Sequence, residues 1–114
     1  MKLIKKAQAK ELKIDNVTTA YEYDAGDKDI NCAVVILKGR SPKTGYVANK
    51  VCKELVHVVK GGGLININNE EYQLSEGDEI IIEPGEKYFW DANMTILVPC
   101  APGWYHEQQE HTEA

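Results

Sequence analysis

Glycine and proline recur through this chain from Gly26 onward, and the segments left between them are short, apolar and rich in β-branched residues. That pattern is the signature of an all-β domain, because such segments bury well in a pleated sheet and Gly and Pro supply the turns. The expected strands are 17–23, 32–37, 55–59, 64–67, 72–74, 79–82, 88–90 and 95–98. They recur about every eight to twelve residues, as a sandwich or barrel requires. Asn68-Asn69 lies between two of them and suits a tight hairpin, since Asn tolerates positive φ. Residues 40–45, with Ser, Pro and Gly, read as a loop. Gly61-Gly62-Gly63 reads as a tight strand-to-strand turn. The phosphate-loop alternative lacks the Lys-Ser/Thr and the helix that would follow. The one helical candidate is 7–12, and the polar 107–114 reads as a fraying tail.

The chain has 114 residues, enough for one domain with a modest core. Within it, 1–30 reads as an N-terminal extension with the first strand, 31–105 as the barrel and 106–114 as the tail. The net charge of −5 gives no electrostatic support to nucleic acid or an anionic membrane as partner. No apolar run spans a bilayer, and the basic start Met1 to Lys6 is followed by no apolar signal core, so a cytoplasmic location is expected. Three cysteines, Cys32, Cys52 and Cys100, have no framework spacing and read as free thiols in a reducing compartment.

Two stretches carry a resemblance. Glu54-Leu-Val-His-Val-Val-Lys-Gly61 resembles the second half of the first cupin motif, and Gly77-Asp-Glu-Ile-Ile-Ile-Glu-Pro-Gly85 resembles the start of the second. The hairpin and the Gln73 to Asp78 turn lie between them, as in small single-domain cupins. The likeness covers residues 33–104 and implies a double-stranded β-helix (jelly-roll) barrel with a short N-terminal helix or strand extension. Within the family, Pro102-Gly-Trp104 resembles the ending of metal-poor members of the ethanolamine-utilisation EutQ type. Family likeness also implies a homodimer, with 17–23 as an exchanged strand.

The family's metal set is two His before the Glu, the Glu itself and a later His. Here the Glu is Glu54, the first pair falls on Ala48 and Lys50 or on Val47 and Asn49, and the last position is Tyr88. One carboxylate and a phenol are a poor donor set for a divalent ion. The resemblance therefore implies the fold without a metal cofactor. Strand alternation puts Glu54, Val56 and Val58 on one face and Leu55, His57 and Val59 on the other, with Tyr88 and Trp90 sharing a face. The expected mouth presents Glu54, Tyr88, Trp90 and either Asn49 or Lys50 to a small polar ligand. Glu54 and Tyr88 are the candidate catalytic pair, and Asn49, Lys50, Glu54, Tyr88 and Trp90 the candidate ligand-binding set. The bland alternative for Glu54 is an ion pair with Lys50 or Lys53. Cys52 is flanked by those lysines, which would lower a thiol pKa somewhat, but no base lies near it in the sequence and it reads as a buried or idle thiol. His106 and His111 do not share a helical face.

Four functions fit this pattern. The first is a metal-independent cupin that binds a small polar or carbohydrate-like metabolite. The second is an acid/base epimerase or isomerase using Glu54 and Tyr88. The third is a metalloenzyme with non-standard ligands, and the fourth a structural dimerisation module.

Overall fold

The computed structural model describes residues 1–113. It is one curled antiparallel sheet closed into a barrel. Its strands are β1 (Lys10–Lys13), β2 (Thr18–Tyr23), β3 (Asn31–Ser41), β4 (Tyr46–Asn49), β5 (Lys53–Ile67), β6 (Glu70–Ser75), β7 (Glu79–Ile82), β8 (Tyr88–Ala101) and β9 (Gln109–Thr112). The order β1-β2-β3-β8-β4-β9 forms one path, and β5 joins β8 to β6 and β7. Among the described residues no helix is long and apolar enough to cross a membrane.

The centre of the barrel is β8, and its alternation is complete. Tyr88, Trp90, Ala92, Met94, Ile96, Val98 and Cys100 are all buried, and the residues between them face outward. A strand with one face on the core and one toward solvent reads this way. The sequence shows two segments here, 88–90 and 95–98, because Asp91 and Asn93 interrupt the apolar run. These are simply the outward positions.

The glycines at 61–63 do not form the turn that their run suggests. β5 runs through them, paired with β8 from Lys53↔Ala101 to Ile67↔Tyr88. The register shifts by one between Val58 and Lys60, a β-bulge. An extra residue reverses the inward parity of everything after it. Val56 and Val58 are buried before the bulge, and Ile65 and Ile67 after it. Gly61 takes φ +82°, and a Cβ on Gly63 would overlap Ala92. Only glycine lets β5 lie this close to β8.

The hairpin forms as expected, with Asn68 and Asn69 at φ 49° and 69°. Two terminal expectations are corrected. Residues 7–12 do not form a helix: Lys6–Gln8 makes a single 3-10 turn and β1 follows. A six-residue helix is too short to stand alone, whereas the edge of β2 offers β1 a ladder of hydrogen bonds from Lys10↔Glu22 to Lys13↔Thr19. The segment 107–114 does not fray where it is described. β9 pairs with β4 from Tyr46↔Thr112 to Asn49↔Gln109, and Gln108 is buried. Its polarity misleads because one polar side chain in it is a core member. The strand at 18–23 lies between β1 and β3 of its own chain.

Candidate functional site

A cavity of about 300 Å³ opens inside the barrel. Its walls come from the inward faces of β2, β3, β5 and β8, with Trp104 beside them. The size falls at the small end of ligand pockets. Glu54 and Tyr88 both line it, as do Trp90 and Val47.

Glu54 is held by a chain of amides whose orientation is forced. Gln108 Oε1 accepts from the backbone N–H groups of Val51 and Cys52, each at 3.2 Å. Its Nε2 therefore points the other way and donates to Asn49 Oδ1 at 2.8 Å. Trp104 Nε1 donates to the same Oδ1 at 3.1 Å. With two donors on its oxygen, Asn49 must turn its NH₂ toward Glu54, and Nδ2 donates to Oε1 at 2.6 Å. Tyr88 donates its hydroxyl proton to the same Oε1 at 2.9 Å. The turn before Tyr88 is fastened to this group, because Gly85 N–H donates to Asn49 O at 2.7 Å.

The two carboxylate oxygens of Glu54 are thus unequal. Oε1 carries two strong donors, and among the described residues Oε2 has only the Cys100 thiol at 3.8 Å, a weak donor. When Glu54 is protonated, its proton belongs on Oε2. Burial pushes the Glu54 pKa up, and the donors Tyr88, Asn49 and Cys100 offset part of that. Burial first, and then the Glu54 charge, push the Tyr88 phenol well above its ordinary range. Tyr88 therefore stays neutral and acts as a donor. Cys100 is likewise pushed up, by burial and by Glu54. Trp90 meets Tyr88 edge-on, with ring centroids 6.3 Å apart.

The structure gathers Asn49, Glu54, Tyr88 and Trp90, and it settles the open register at β4. Val47 and Asn49 face the barrel, with Asn49 behind Glu54 in the wall. Lys50 is not brought in: its ammonium lies 3.0 Å from Glu110 on the outside. The expected ion pair of Glu54 with a lysine is absent too, since Lys53 pairs with Glu83 at 3.2 Å. With both ammonium groups engaged outside, Cys52 does not have its pKa lowered. Burial and then the Glu54 charge raise it. His57 lies on the outer face against Glu79 at 2.9 Å, and His111 Nε2 lies 2.7 Å from Thr44 O.

The site does not fit a divalent metal. At the four positions where the family holds one stand Val47, Asn49, Glu54 and Tyr88, and two of these aim hydrogen-bond donors at the single carboxylate. A cation in that place would face an N–H and an O–H. Among the described residues no three His, Cys, Asp or Glu side chains converge in a way that would hold an ion.

Sequence reasoning missed Trp104 as a site residue and missed Gln108 altogether. Pro102-Gly-Trp104 pointed to an ending but not to a hydrogen bond. Gln108 left no signal beyond being an amide in a polar run.

No protein-family model matches this chain, and no curated protein matches it. Solved structures do. Pac13 from Streptomyces, described as a unique nucleoside dehydratase, superposes with a TM-score of 0.86 at 16% identity, over 96% of this chain and 88% of that one. A tyrosine variant of Pac13 solved with uridine gives 0.87 at 16% identity, over 99% and 93%. Ectoine synthase from P. lautus gives 0.69 at 16%, over 91% and 81%, and KdgF from a Halomonas species 0.66 at 14%, over 84% and 88%. These neighbours share the cupin fold. At such identities the likeness speaks to architecture alone, and with the curled, closed sheet described above it establishes that this chain is a cupin-type β-barrel.

Proposed function

We propose that this barrel handles an uncharged polar metabolite of nucleoside or sugar-like kind, and that Glu54 moves a proton on it without a metal. The observation that carries the reading is the inequality of the Glu54 oxygens. Oε1 is fixed by Asn49 and Tyr88, and the carboxyl lines a cavity of ligand size with Oε2 held by no strong donor. A carboxyl whose pKa is raised by burial is suited to take and return a proton near neutral pH. Tyr88, held neutral, positions Glu54 and is not a second base. Trp90 offers an aromatic wall for a ring. Open space in the barrel weighs against a purely structural module. Pac13, a nucleoside dehydratase of the same architecture, supports the choice of substrate class.

Dehydration, epimerisation and isomerisation next to a carbonyl all begin by removing a C–H proton. Deuterium exchange into substrate is therefore the common readout. Nucleosides and free sugars, with their aldehyde and keto forms, are incubated with the protein in D₂O and followed by proton NMR. Exchange or elimination by the wild type, lost at least a hundredfold in Glu54→Gln with folding intact, is the expected result; loss of one general base typically costs about 10² to 10⁴ in rate. Exchange that survives in Glu54→Gln, or none by the wild type, sinks the proposal.

A further inference from the structure

Thr18 Oγ1 is a buried side-chain polar atom with no hydrogen-bond partner among the described residues. Native proteins seldom leave such a group unpaired, and each case calls for a reason. Thr18 lines the same cavity as Glu54. On β2 the cavity-facing residues are Thr18, Ala20 and Glu22. The Glu22 row continues through Ala33 to Val98, next to the row in which Cys100 pairs with Glu54. Four residues separate the Thr18 and Glu22 rows, about 13 Å at the rise of a strand.

The surroundings of Thr18 are polar and already ordered. Asp15 N–H donates to Thr18 O at 3.4 Å, so the two are neighbours through a tight turn. Asp15 Oδ1 accepts from Val17 N–H at 2.9 Å, and Oδ2 accepts from Ser41 Oγ at 2.6 Å. Ser41 is 93% buried, since it is 7% exposed. It gives its one hydroxyl proton to Asp15 and keeps a lone pair to accept with. Asp15 and Ser41 both line the cavity, and Trp90 pairs in register with Ser41. A 120° turn of Thr18 about χ1 carries its hydroxyl to another staggered position, so a ligand group beside it can be met without moving the backbone.

Charge narrows the occupant. The lining carries four carboxylates, Asp15, Glu22, Asp24 and Glu54, and one ammonium, Lys43. A phosphate or carboxylate on the ligand would meet like charge from several sides.

We infer that Thr18, with Asp15 and Ser41, forms a second hydrogen-bonding subsite for an uncharged group that both donates and accepts, such as an amide edge or a hydroxyl. The ligand is then an unphosphorylated metabolite that reaches from Glu54 to Thr18, with a ring against Trp90. This rests on Glu54 marking the reacting end. The unpaired hydroxyl is a cost to the empty protein that the ligand removes.

The test uses Thr18→Val, which keeps the shape and deletes the hydroxyl. Apart from any ligand, this variant melts several degrees higher than wild type, because an unsatisfied buried group is gone; a lower melting temperature overturns the inference. For binding, uridine and uridine 5′-monophosphate are titrated to 10 mM while the Thr18 methyl and the Glu54 carboxyl are followed by NMR. Uridine should shift both signals, Thr18→Val and Ser41→Ala should each weaken its binding about tenfold, the effect of one hydrogen bond, and the monophosphate should bind more weakly than uridine. Perturbation of Glu54 with a silent Thr18, equal binding to Thr18→Val, or a monophosphate as tight as uridine overturns the subsite and leaves the reading of Glu54 standing. Silence at both signals overturns both.

Discussion

Tyr88→Phe isolates one interaction at the Glu54 carboxyl. The ring remains to fill its place beside Trp90, and the only atom lost is the hydroxyl that donates to Oε1 at 2.9 Å. A hydrogen bond to a charged group contributes about 1.5–3 kcal/mol. It acts chiefly on the ionised form, and one pKa unit corresponds to about 1.4 kcal/mol. Losing it therefore raises the Glu54 midpoint by about one to two units. Burial already holds that midpoint above the ordinary 4.5, so the variant moves it further in the same direction. The folded state then keeps a proton that the unfolded chain releases. The Glu54 contribution to stability is complete below about pH 4.5 and is lost as pH rises toward the folded midpoint. Tyr88→Phe extends that decline to higher pH, and Glu54→Gln abolishes it. The assay is a titration of the Glu54 side-chain carboxyl by carbon-13 NMR, paired with urea unfolding across pH 4–9. A Tyr88→Phe midpoint that stays within about 0.3 units of wild type, or falls, refutes the argument that this hydroxyl stabilises the carboxylate.

Gln108→Met removes the acceptor of the Val51 and Cys52 N–H groups and one of the two donors that orient the Asn49 amide. Urea unfolding should show a loss of about 1–3 kcal/mol, since the buried Cys52 N–H goes unpaired, and the Glu54 midpoint should rise by less than in Tyr88→Phe, because Trp104 still holds Asn49 Oδ1; unchanged stability counts against the amide chain. Gly63→Ala sets a methyl group into Ala92 and within 2.8 Å of Asp91 O. Overpacking of about 1–3 kcal/mol plus backbone strain is expected, read as a lower urea midpoint, and a variant as stable as wild type shows that β5 and β8 have room to part.

How much of this molecule the sequence showed depends on whether a signal was local or shared. Parity along β5 is local: Glu54, Val56 and Val58 against Leu55, His57 and Val59 required only a pleated strand, and the structure keeps that division. The Asn68-Asn69 turn is local in the same sense. The glycines at 61–63 were misread because a bulge and a turn ask for the same residue, and what separates them is the approach of β8, thirty residues later. The polar half of the site was the least legible. Asn49 was one of two register choices until Gln108 and Trp104 were in place to orient it. Thr18 stood in the sequence as the start of an ordinary strand, and only a barrel leaves its hydroxyl without a partner. Polar residues that work in pairs across the fold carry no periodicity, so pattern reading passes over them. The family pattern marks only the positions of histidines that this chain does not have. The residues that replace a metal need not sit where the metal's ligands did. Here the group holding Glu54 begins on β9's side of the barrel, with Gln108, and reaches the carboxylate through Asn49. A C-terminal segment that looked dispensable is therefore part of what fixes the proton on Oε2, and truncation before Gln108 removes the support of the site along with the strand.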